Sequence, residues 1–82
     1  MTNPDLPSAP LYVALGQALR VLRKRAGLTQ QEVAEIVGIR STFVSQIENG
    51  ARGMRFHTMI AMLDACEADL GALSAVFERP VA

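Results

Sequence analysis

The residues best suited to chemistry lie between Gly38 and Gly50, where Arg40, Ser41, Thr42, Ser45, Gln46 and Asn49 crowd into one short segment. None is an activated nucleophile or a general base. All can donate or accept hydrogen bonds, as side chains that read base-pair edges in the major groove must. If Ser41 to Asn49 is helical, at about 100° per residue, Thr42, Ser45, Gln46 and Asn49 point one way while Phe43, Val44 and Ile47 point the other.

Other chemistry has little to work with. One histidine, His57, and one cysteine, Cys66, cannot supply the four ligands that a zinc site normally needs. His57 reads as an exposed residue in the first turn of a helix. Met54, Met59 and Met62 read as apolar filler. Ser41, Ser45 and Ser74 have neither a strained nucleophile elbow nor a glycine loop beside them, so covalent catalysis is not expected. Neither an enzyme nor a cofactor is anticipated.

The elements that must position the polar segment follow from spacing. Pro10 opens a helix after an arm over 1–10, and Leu15, Ala18, Leu19, Leu22 and Ala26 form one stripe along it. Gly27 ends that helix. Thr29-Gln30-Gln31-Glu32 is a capping box that starts a second, with Val33, Ala34 and Val37 on its inner face. Gly38 stops the second helix in a left-handed residue, so the third must begin almost at once. Two short helices joined by so tight a turn are the helix-turn-helix arrangement. Phe56, Met59, Ile60 and Leu63 give a fourth stripe, and Asp69 can cap a fifth helix carrying Leu70, Leu73, Val76 and Phe77. The expected fold is all-α and compact, with one domain over 11–78 and a tail over 79–82.

Composition narrows the class. The chain has 82 residues, half of them apolar, and eight lysines plus arginines against eight aspartates plus glutamates. That length suits one core. No apolar run is long enough to cross a bilayer. A lone cysteine excludes an internal disulfide, and the first ten residues lack the pattern of a secretory signal, so a reducing cytoplasm is expected. The zero net charge hides an asymmetry: residues 20 to 55 carry an excess of four positive charges, whereas those from Asp64 onward carry an excess of three negative ones. One cationic face with an acidic remainder suits a polyanionic partner.

Leu19-Arg20-Val21-Leu22-Arg23, Gly27-Leu28-Thr29-Gln30-Gln31-Glu32-Val33-Ala34, Val37-Gly38 and Phe43-Val44-Ser45-Gln46-Ile47-Glu48-Asn49-Gly50 together resemble the phage repressor and Cro-like (Xre-type) helix-turn-helix regulators. The resemblance spans Leu11 to Phe77. It implies a five-helix bundle whose third helix enters the major groove of double-stranded DNA, usually as a homodimer on a two-fold-related site. It makes Ser41, Thr42 and Gln46 base-reading positions, to which Arg40 adds a side chain suited to guanine, with Ser45 on the same face. It also makes Gln30 a phosphate contact, at a helix start where backbone N–H groups and the dipole favour an anion, together with Asn49, Arg52 and Arg55.

The resemblance pairs Arg23 with Glu48 as a structural tie between the first and third helices; Arg20, Lys24 and Arg25 read as solvated charge. Arg55 stands where relatives often carry a capping residue, and Glu67 where a glycine is common. The dimer interface is expected at the C-terminal helix, through Leu70, Leu73, Val76, Phe77 and Val81. The alternative on the same fold is a protein-interaction module, such as an antitoxin or a subunit docking on another regulator.

Overall fold

A computed structural model describes residues 8–78, and all its elements are helices: α1 (Ser8–Arg25), α2 (Gln30–Val37), α3 (Ser41–Glu48), α4 (Phe56–Ala65) and α5 (Leu70–Glu78). Three positions depart from the reading by spacing. First, α1 begins at Ser8, two residues ahead of Pro10; this is tolerated because N–H groups in a first helical turn have no intrahelical partner for proline to remove. The rest of the expected arm, residues 1–7, and the tail over 79–82 lie outside the described residues. Second, Phe56 is 66% exposed. The buried face of α4 instead runs through Met62 and Leu63, with Met59 and Cys66 against the core, which leaves Phe56 in the first turn beyond the core's edge. Third, Ala26 is exposed past the end of α1.

The local signals explain the helix ends. Thr29 Oγ1 accepts from Glu32 N–H at 3.0 Å while Glu32 Oε1 accepts from Thr29 N–H at 2.8 Å, so the capping box is closed at both contacts. Gly38 takes φ 87° and sends its N–H to the Ala34 carbonyl, stopping α2 so that only Gly38, Ile39 and Arg40 separate it from α3. Asp69 Oδ1 accepts from Ala72 N–H at 2.8 Å. Arg55, by contrast, gives the start of α4 no side-chain cap.

The core holds Ala18, Leu19 and Leu22 of α1, Val33 and Ala34 of α2, Val44 and Ile47 of α3, Met62 and Leu63 of α4 and Leu73 of α5. Burial pushes the Cys66 thiol above its ordinary range, desolvation outweighing the opposing attraction of Arg23. Among the described residues no buried side-chain nitrogen or oxygen lacks a partner.

One ion pair sits inside this apolar packing. Arg23 Nε donates to Glu48 Oε2 at 2.6 Å and Nη2 to Glu48 Oε1 at 3.0 Å, a bidentate fork. Arg23 Nη1 donates to the Leu28 carbonyl at 2.7 Å, and Gln30 Nε2 donates to Glu48 Oε1 at 2.9 Å. Helices α1, α2 and α3 therefore meet at the carboxylate of Glu48, a residue that is 2% exposed, and the link between the first two is tied to its partner Arg23. Close backbone packing fixes α3 from a second direction. A Cβ on Gly16 would collide with the Ile47 carbonyl oxygen and lie 2.8 Å from that of Glu48.

Three outcomes are expected in denaturant unfolding. Glu48→Ala leaves Arg23 buried without its partner and costs about 3–5 kcal/mol, whereas replacing both charges with apolar residues costs less. Gly16→Ala gains about 1 kcal/mol of helix propensity, but the atoms it meets are backbone and cannot yield, so an overpacking loss of about 1–3 kcal/mol or more prevails. Glu67, at φ 55° after α4, carries a left-handed strain of about 1–2 kcal/mol; Glu67→Gly relieves it and raises stability by about 0.5–1 kcal/mol after glycine's extra chain entropy.

Candidate nucleic-acid interface

The third helix divides as its periodicity demands. Val44 is fully buried, Ile47 is 1% exposed and Phe43 is half-buried against the core. Arg40, Ser41, Thr42, Gln46 and Asn49 are exposed, and Ser45 is half-buried. A helix anchored by its apolar side and edged outward with hydroxyls, amides and a guanidinium is a hydrogen-bonding surface of the dimensions a major groove admits. Arg40 sits at the N-cap of α3 and makes no side-chain cap bond there. The helix therefore starts without a side chain closing off its first amides, a favourable place for a phosphate oxygen.

Cations flank the helix on the side of its C-terminus. Arg52 and Arg55 are exposed, and together with Tyr12, Phe43, His57 and Thr58 they line a groove beside α3. The groove exists because α1 crosses close to the link after α3: a Cβ on Gly53 would lie 2.7 Å from the Tyr12 ring, and one on Gly50, at φ 73°, would lie 2.6 Å from the Val13 Cα.

Gln30 stands apart from this group. It is half-buried, and its amide is engaged with Glu48 Oε1, so in this conformation its Nε2 faces the ion pair. The capping box meets the N–H groups of Thr29 and Glu32, not those of Gln30 and Gln31 at the start of α2.

The residues expected at a dimer interface separate too. Leu70 is 47% exposed, whereas Leu73 is 6% exposed and belongs to the protomer's own core, so it offers little surface to a second chain. Val76 packs against that core. The Phe77 side chain and Val81 lie outside the described residues.

Two features escaped the reading by spacing. The Arg52 guanidinium carbon lies 4.4 Å from the centroid of the Phe43 ring, and Arg52 Nη1 donates to Gln46 Oε1 at 3.2 Å. Arginine and glutamine six residues apart carry no sequence signal of contact; the turn after α3 brings them together. Among the described residues no group of three or more His, Cys, Asp or Glu could hold a metal ion, and no helix is long and apolar enough to cross a membrane.

Comparison with known proteins agrees with this geometry. The structure resembles the clp gene regulator ClgR from Corynebacterium glutamicum, with a TM-score of 0.77 and 27% identity over 82% of this chain and 86% of that one. It also resembles the restriction-modification controller protein C.AhdI from Aeromonas hydrophila, with a TM-score of 0.73 and 28% identity over 78% of this chain and 97% of that one. A transcriptional regulator of the HTH_3 family from Vibrio cholerae gives a TM-score of 0.75 at 25% identity, over 83% of this chain and 38% of that one. No curated protein sequence gives a significant match. The family model described as a helix-turn-helix domain matches residues 14–76, and the chain belongs to that family, with the all-α fold of the Xre-type DNA-binding transcription regulators.

Proposed function

We propose that this protein is a sequence-specific transcriptional regulator that lays α3 in the major groove of its operator and binds as a homodimer to two related half-sites. The observation that carries the reading is the division of α3: Val44 and Ile47 anchor it while Thr42 and Gln46 stand exposed on the other side. In this reading Arg40, Ser41, Thr42, Ser45 and Gln46 contact base edges. Asn49, Arg52 and Arg55 contact phosphates from the C-terminal side, and the start of α2 at Gln30 contacts them from the other. The Gln30 contribution falls to its backbone N–H unless the side chain leaves Glu48.

Dimerisation doubles the number of base contacts, which one short helix needs to single out an operator. Leu70, exposed beside apolar clefts that α5 forms with α4 and with α1, is the residue we assign to that interface, extended by Val76, Phe77 and Val81. The same exposed leucine, with zero net charge, favours the second reading, in which the fold docks on another protein.

Fluorescence anisotropy with duplexes from upstream of the protein's own gene, at two salt concentrations, separates these readings. DNA binding that weakens steeply with salt is expected of the regulator, and its absence favours the interaction module. Gln46→Ala is expected to cost about 1–3 kcal/mol on the operator and to relax preference at one base pair. Arg55→Ala should instead weaken all duplexes alike and lower the salt slope by about one. Equal losses on specific and nonspecific DNA in both variants would contradict the assignment.

A further inference from the structure

The contact between Arg52 and Gln46 bears on which base α3 reads. Glutamine on its own shows one acceptor and one donor, the pair that matches N6 and N7 of adenine. Here Arg52 Nη1 lies 3.2 Å from the Gln46 carbonyl oxygen. Arginine has no acceptor, so only that oxygen can face it, and the Gln46 NH2 group turns to the other side. An exposed hydrogen bond of this length would hold little by itself, but the guanidinium also lies over the Phe43 ring at 4.4 Å. Phe43 packs against the core, so the platform beneath the cation is fixed.

With one of the two lone pairs of its oxygen engaged by a cation, the open edge of Gln46 is weighted toward its N–H donors, and the remaining N–H groups of Arg52 add more of the same. Guanine shows two acceptors, O6 and N7, in the major groove. Adenine replaces O6 with an N6 donor, which would meet a donor and a positive charge. We propose that Arg52 is a positioning residue that turns the Gln46 NH2 group toward the base and, by placing positive charge at the Gln46 oxygen, selects guanine over adenine at the base pair Gln46 faces. This rests on the reading of α3 as the recognition helix, and it gives Arg52 a role in specificity beyond neutralising a phosphate.

The test selects duplexes from a randomised library with the full chain, then titrates a matched pair differing only by guanine or adenine at the position whose preference Gln46→Ala abolishes. The parent protein should favour guanine by about fivefold to tenfold. Arg52→Ala should lose that preference or turn it toward adenine, and Phe43→Leu, which removes the ring but keeps all charge, should move it the same way. Arg52→Lys should retain the salt slope while the guanine preference falls, a separation that a simple phosphate contact would not produce. Because Arg52 is exposed, its variants should unfold at the parent's denaturant midpoint. An adenine preference in the parent, or a guanine preference undiminished in Arg52→Ala, overturns the proposal while leaving α3 as the recognition helix. A parent protein that shows no salt-dependent duplex binding overturns the recognition-helix reading as well.

Discussion

The Glu48 carboxylate is the point on which the arrangement of the first three helices turns. It lies at the C-terminal end of α3, almost fully buried, and receives Arg23 from α1 and Gln30 from α2. Two charges removed from water lose hydration that their mutual attraction roughly offsets, so the pair adds little net stability over an apolar equivalent. It is demanding about position, however. Any docking of α3 that separates the partners strands a charge in the interior, and the Leu28 carbonyl bound to the same arginine ties in the link ahead of α2. The outer surface of α3 is thereby held in one orientation by an interaction that does not tolerate displacement.

Packing at the glycines reinforces that constraint through excluded volume. Gly16 lets α1 approach the final carbonyls of α3, and Gly50 and Gly53 let the following link pass beneath Val13 and Tyr12. Arg52 is thereby carried back over Phe43, above the helix it has just left. The polar outer edge of α3 is thus built from two stretches of chain, eight residues of helix and one arginine from the turn. The hydrogen-bonding character of that edge is set by their contact as much as by either residue alone.

The charge distribution fits the same geometry. Arg40, Arg52 and Arg55 stay exposed around α3, whereas Arg23 is taken inside to neutralise Glu48. The acidic residues from Asp64 onward follow the start of α4 in sequence, after the last of the flanking arginines. A chain with no net charge can therefore keep positive side chains beside one helix, because the field near a surface follows the nearest charges rather than the total.

Much of this is legible in the sequence. The helix ends at Thr29, Gly38 and Asp69, the division of α3 into apolar and polar sides and the all-α class follow from local chemistry, because capping, left-handed turns and helical periodicity act between residues a few positions apart. The start of α1 and the outward turn of Phe56 are not legible. Proline is tolerated throughout a first turn, and how far the core extends along α4 depends on what packs against it. Nor could spacing reveal that Gln30 is drawn to Glu48, that Leu73 is used up within the protomer, or that Arg52 holds the oxygen of Gln46. Those are contacts between segments whose relative positions exist only once the core has closed. Sequence determined which side chains α3 would offer; tertiary structure decided which of their donors and acceptors remain open, since a hydrogen-bonding atom is available only if no neighbour in space has already claimed it.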